Sequence, residues 1–269
     1  MKHAFPLYIL LAAAPLCAFA QGTAPVPQAS QFSLCTSETP FLPLSSADPD
    51  RPGRSQVLIK MVARQMGIEI RNDFAPWKRC QALVERGIYD AMNITGYAGI
   101  NPTIAVFPMR DGVPDTSKSV GSVPSVLYRR VGSKADFVGG RIVNTDKPVA
   151  VLVTRQVNMD AVKRAGGTSE DGAQTVAALA QKLIAGQVDL AASAETDLAE
   201  LVATQYKGVL EAIPTPLIES HYFVVFSKQY FANHRAEAEA FWSEIAKTRT
   251  RSEYLWAIDG IALKSKNGT

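Results

Sequence analysis

The stretch from Pro76 to Tyr97, PWKRCQALVERGIYDAMNITGY, constrains this chain more than any other. Proline at a first helical position loses no hydrogen bond, because that N–H would have no intrahelical partner. Trp77, Cys80, Leu83 and Val84 then fall at helical spacing and form one apolar stripe. Lys78, Arg79, Gln81, Glu85 and Arg86 face the other way. Gly87 supplies a C-terminal stop, and Tyr89 to Thr95 has strand character. A helix, a tight turn and a strand in direct succession belong to α/β folds. The pattern returns about a hundred residues later, as a helix over Thr175 to Ala185, Gly186-Gln187-Val188-Asp189, and a strand-like Leu190 to Ala192. One G-x-x-D carries little information. Its recurrence in the same context predicts two similar α/β lobes.

Other elements fit that plan. Strands are predicted at Phe32–Thr36, Ile68–Phe74, Val123–Val131, Val149–Val153 and Tyr222–Phe226. Helices are predicted at Ser55–Met66, from Arg155-Gln156 to Arg164, and at Ala236–Thr248 and Arg251–Ile258. Between Gly99 and Val120, Gly and Pro punctuate an irregular connection. The polar loops after Leu34, Ile94, Val153 and Ala192 would lie at strand carboxyl ends, where open α/β sheets bind ligands.

At the N-terminus a basic start, an apolar run from Ala4 and Ala18-Phe19-Ala20 describe a cleavable secretory signal over residues 1–20. The Pro-, Gln- and Ser-rich residues 21–31 read as a disordered lead-in. Removing Lys2 takes the net charge from +3 to about +2, and no basic cluster with interleaved aromatics appears, which argues against nucleic-acid binding. No later segment is long and apolar enough to span a membrane, so the mature protein is expected to be soluble. Of its cysteines, Cys35 and Cys80 remain after cleavage. In an oxidising compartment they would form a disulfide; the alternative is two buried thiols. Metal or cofactor binding has no motif behind it, nor does catalysis: there is no G-x-S-x-G, H-E-x-x-H or P-loop.

PWKR-C with its G-x-x-D, Phe107 to Met109, Leu127-Tyr128-Arg129-Arg130, Leu183 to Asp189 and Tyr222 to Lys228 resemble the bacterial extracellular solute-binding proteins of family 3. The likeness runs from about Phe32 to Tyr254. It implies a type 2 periplasmic-binding-protein architecture, an α/β fold of two lobes joined by two crossing hinge strands. Lobe 1 would comprise residues 32–124 plus 222–269, and lobe 2 residues 125–221. In the PWKR branch a cysteine in the first strand accompanies one directly after the motif, which favours a Cys35–Cys80 bond. The resemblance implies a monomer that captures a small polar solute by hinge closure for an ABC-type membrane permease. Two departures stand out. Family members that bind amino acids clamp the α-carboxylate with an arginine, a sound fork-to-fork match, but here Asn101 falls nearest that position. Their aspartate for the α-amino group is replaced by about Ala194, with Glu195 adjacent and Asp197 beyond.

The candidate ligand-binding residues are therefore Glu38 and Thr39 after the first strand, Trp77, Thr95 and Tyr97 in the opening stretch, and Arg155, Gln156 and Glu195 in the second lobe. Plainer readings stand beside these, Trp77 as core and Arg155 as a solvated loop residue; Asp90 and Asp189 read as turn caps rather than ligand contacts. Two other functions stay open. One is a ligand-sensing or interaction module on the same fold, working through a membrane partner. The other is a dehydratase-like enzyme using Glu38 or Glu195 as acid or base.

Overall fold

The computed structural model describes residues 30–266, together with Met1. The rest of the expected signal and all but the last two residues of the lead-in lie outside them. The first half-chain forms β1 (Gln31–Ser37), α1 (Arg54–Met66), β2 (Glu69–Ala75), α2 (Trp77–Glu85) and β3 (Ala91–Gly96). A short α3 (Asn101–Ile104) precedes the long β4 (Gly121–Arg130). There follow β5 (Val149–Leu152), α4 (Gln156–Arg164), β6 (Ser169–Ala173), α5 (Val176–Ile184), β7 (Ala191–Ala194), α6 (Glu195–Ala203) and β8 (Leu210–Ala212). The chain ends with β9 (Ile218–Ser227), α7 (Lys228–Asn233), α8 (Arg235–Thr248) and α9 (Ser252–Lys266).

The sheet runs in the order β6-β5-β7-β4-β9-β3-β1-β2. At each end three strands pair in parallel: β1 with β2 and β3, and β5 with β6 and β7. Between them β4 and β9 are antiparallel to everything they touch. Residues 121–125 of β4 pair with β9, whereas residues 125–128 pair with β7. In the same way β9 leaves β4 at Tyr222 and continues along β3. Two ten-residue strands thus cross from one three-stranded unit to the other, and the architecture is two-lobed.

Each unit has its own core. Phe32, Leu58, Val62, Phe226, Phe241 and Trp242 fill one, with Phe32 edge-on to Phe226 and Phe241. Leu179, Leu183, Ala150 and Tyr128 fill part of the other. The repeated helix–glycine–strand unit is present in both. Gly87 and Gly186 take φ of 69° and 70°, a left-handed conformation that glycine adopts without Cβ strain. The aspartates that follow them anchor strands rather than cap turns. Asp90 Oδ2 accepts from the Ser33 N–H and hydroxyl, both at 2.8 Å, joining β3 to β1. Asp189 accepts from Arg130, Thr145 and Lys147 at 3.0–3.1 Å. Burial opposes its ionisation, but these donors together hold the carboxyl below the usual carboxylate range.

Cys35 in β1 and Cys80 in α2 form a disulfide, with Cα atoms 5.6 Å apart, in a wholly buried cluster with Val84, Met92 and Phe223. Of the apolar stripe on α2, only Cys80 and Val84 are buried. The sequence pattern missed α6, the polar strand β6 and the hairpin Asp136–Val138/Arg141–Val143. β6 reads SEDGA, and only its last residue, Ala173, is buried, so it carries no apolar run.

Candidate functional site

A cleft of about 600 Å³ opens where the carboxyl ends of β1, β3 and β5 face one another across the crossing strands. One wall holds Ser37, Thr39, Phe41, Trp77, Lys78, Gln81, Ile94, Gly96 and Asn101; the other holds Val153, Thr154, Arg155, Gln156, Val157 and Gln174. Tyr222, from β9, forms part of the floor, and burial raises the pKa of its phenol, which stays neutral.

Arg155 dominates the second wall. It is the N-cap residue of α4 and its side chain is four-fifths buried, with 20% exposed. The guanidinium carbon sits 3.9 Å from the centre of the Phe41 ring on the opposite wall, a cation–π contact. Phe41 in turn packs edge-on against Tyr222, with centroids 5.0 Å apart. Arg155 Nη2 lies 3.6 Å from Asp197, while its Nε is buried without an acceptor among the described residues. The first N–H groups of α4 have no intrahelical acceptors and share this end of the cleft with Arg155. Such a helix start together with a guanidinium favours negative charge.

Further contacts bring the walls together. Thr196 Oγ1 donates to the Leu42 carbonyl at 3.1 Å, and the Gly99 N–H donates to Asp160 at 3.4 Å. Val157 Cγ2 and Gln156 Cγ come so close to Gly96 and Gly99 that a Cβ there would sit 2.5 and 2.6 Å from them.

Ile94 is held in the left-handed region, at φ 53°, where a β-branched side chain is strained by roughly 1–3 kcal/mol. The Asn93 side chain accepts from the Ile94 N–H at 2.8 Å, and Asn93 is itself held by the buried Ser55 hydroxyl at 3.0 Å. The pairing of β3 with β9 shifts register at this point. The result delivers the Ile94 side chain to the cleft.

Of the residues the sequence singled out, Thr39, Trp77, Arg155 and Gln156 line the cleft. Trp77 does so from the border of the disulfide cluster, combining its two expected roles. Thr95 is wholly buried, its hydroxyl near the Asn93 carbonyl. Tyr97 stacks edge-on against Phe107 and lines a separate hollow with His221 and Asp160. Glu38 and Glu195 are exposed and outside the lining; the Glu195 carbonyl accepts from Tyr128. Asn101, which stands near the family arginine's position, spends its amide on structure: it donates to the Gly96 carbonyl at 3.0 Å and accepts from Gln81 at 2.7 Å. Phe41, Lys78, Gln81 and Ile94 were missed. Lys78 and Gln81 were legible as one polar face of α2, which is the face turned to the cleft.

No protein-family model and no curated protein matches the sequence. Among solved structures the fold is similar to a histidine kinase sensor domain with similarity to periplasmic binding proteins, at 15% identity and a TM-score of 0.62, covering 88% of this chain and 96% of that one. It is also similar to the periplasmic BvgS VFT2 domain of Bordetella pertussis, at 13% identity and 0.59, covering 86% and 92%. A probable amino-acid ABC transporter extracellular-binding protein of Bacillus subtilis matches at 11% identity and 0.60, over 88% and 97%. The chain therefore has the two-lobed fold of periplasmic binding proteins and periplasmic sensor domains. Among the described residues no helix is long and apolar enough to cross a membrane, and no cluster of His, Cys, Asp and Glu could hold a metal ion.

Proposed function

We propose that this protein is a secreted, periplasmic solute-binding protein that holds a small polar ligand between its lobes and presents it to an ABC-type membrane permease. One observation carries the reading: a cleft at strand carboxyl ends is lined from both lobes, across two hinge strands. A ligand that touches both walls favours the closed arrangement by its differential contacts, and closure is then the signal a membrane partner reads. In this reading lobe 1 comprises 32–124 plus 222–269 and lobe 2 125–221, because β4 and β9 cross near those limits. Thr39, Trp77 and Lys78 act from the first lobe, Arg155 and Gln156 from the second. The chain acts as a monomer, without a cofactor and without catalysis. Neither exposed glutamate reaches the cleft, which weighs against the dehydratase-like alternative.

A sensing role is the second reading, favoured by the sensor domains among the structural neighbours and by the loss of both arms of the amino-acid clamp. The test is a thermal-shift screen across amino acids, carboxylates, polyamines and sugars, since a ligand that binds only the folded state raises the melting temperature. A shift by one class supports capture. No shift across the panel would remove it. Uptake of the identified solute, lost on gene deletion, then separates transport from sensing.

A further inference from the structure

The chemistry of the lining narrows the ligand class, an inference that rests on the binding reading above. The charged side chains of the cleft are Lys78 on one wall and Arg155 on the other; no aspartate or glutamate lines it. Lys78 is exposed and makes no ion pair among the described residues. Asp197 is outside the lining. Its Oδ2 also takes the Ser193 hydroxyl at 3.2 Å, and at 3.6 Å it leaves Arg155 donors for another acceptor. Ala194, near where an amino-group partner would be expected, is 2% exposed and offers only a methyl.

An ammonium group enclosed here would be desolvated between two cations with no carboxylate to meet it, which is strongly unfavourable. A carboxylate would meet a guanidinium with spare donors, a lysine, and the hydroxyls of Thr39 and Thr154. The rest of the lining, Phe41, Trp77, Ile94 and Val157, suits a hydrocarbon body. We propose that the cleft selects a small organic carboxylate that carries no ammonium group.

The experiment is calorimetric and thermal-shift titration with matched compounds. These are C2 to C6 mono- and dicarboxylates and 3-phenylpropionate, each against its α-amino counterpart, with putrescine and glucose as cationic and neutral controls. A carboxylate should bind, with its α-amino analogue weaker by about tenfold or more and the affinity falling with salt. Lys78→Gln, at an exposed site that should not disturb folding, should weaken that carboxylate about fivefold or more and flatten the salt dependence. The class is overturned, and the binding reading kept, if an amino acid, putrescine or glucose binds as tightly as any carboxylate, or if Lys78→Gln changes nothing. Both fall if no compound in the panel binds.

Discussion

Gly96→Ala tests whether contact between the lobes sets the state of the cleft. Gly96 ends β3, and a Cβ built on it lies 2.5 Å from Val157 Cγ2 on α4, with Tyr222 at 3.6 Å. Ordinary contact begins near 3.4 Å, so one wall must retreat by about 1 Å. Val157 is β-branched and its χ1 is nearly fixed in a helix, so it cannot swing aside at low cost. Holding the walls in place would therefore cost about 1–3 kcal/mol, the usual range for overpacking. Opening the hinge avoids that cost, because both crossing strands are left intact. The closed-to-open ratio should fall by roughly 5- to 150-fold, and the apparent affinity of a ligand that binds only the closed state should fall by the ratio of the closed fractions in parent and variant. Small-angle scattering of the free protein should show a larger radius of gyration in the variant, while urea denaturation shows little change in either lobe core. Unchanged scattering together with an affinity within twofold of the parent would refute the reasoning, and would mean that α4 and β3 do not meet in solution.

Three further outcomes follow from the same geometry. Replacing both Cys35 and Cys80 by alanine removes a cross-link spanning 45 residues. Chain entropy values that loop at about 4 kcal/mol, so the urea midpoint should fall markedly, and a loss under about 1 kcal/mol would show that the unfolded chain is already restricted there. His221 on β9 has its pKa lowered, chiefly by burial, with Arg249 in the same sense and Glu219 opposing. Its neutral form is favoured in the fold, so its contribution is fully present above the ordinary value near 6.5 and is lost as pH falls through the lower folded value. His221→Gln should therefore lose less stability than the parent between pH 7.5 and 5; parallel losses would exclude His221 as the source. Asp189→Asn should be destabilising near neutral pH, where the parent carboxylate holds Arg130 and Lys147, and should flatten the acid limb below about pH 4. An acid limb as steep as the parent's would place that dependence on other carboxylates.

The fold was largely legible because its signals are local. Gly87 and Gly186 mark helix ends that only a left-handed residue closes well, and the apolar runs VAVL and YFVVF mark strands buried between neighbours. The extra length of β9 was hidden, since Ile218 to His221 is polar in part and is strand only because Gly121 to Ser125 lies beside it. The site was legible in part. Position after a strand pointed to Thr39, Arg155 and Gln156, all of which reach the cleft. The same rule brought in Thr95 and Glu38, because it gives the end of a strand but not which way a side chain points there. At β3 that direction is set by the Asn93–Ile94 irregularity, which turns Ile94 toward the cleft and leaves Thr95 inside. No periodicity encodes it: the Ile94 strain is held by Asn93, and Asn93 by Ser55, 38 residues earlier.

Phe41 shows the second way in which information is lost. In the sequence it sits in a short Pro-flanked loop and resembles an ordinary core residue. In the fold it joins three elements, packing on Tyr222 of the hinge strand and carrying Arg155 from the opposite wall on its face. Arg155 thus has two partners, Phe41 across the cleft and Asp197 in the first turn of α6. Only the Phe41 contact depends on the walls being together, and neither partner satisfies its Nε. A buried guanidinium left short of acceptors is costly, and under the proposed function an anion in the cleft would relieve part of that cost. If the cleft takes an anion as proposed, ligand charge and the Phe41 contact would favour the same arrangement, which is the differential interaction that closure requires. The amino-acid clamp achieves this with an arginine and an aspartate from opposite lobes. In the proposed reading Ala194 falls about where that aspartate would be and Asn101 nearest the arginine, and the coupling would pass instead through Arg155 and the ring of Phe41.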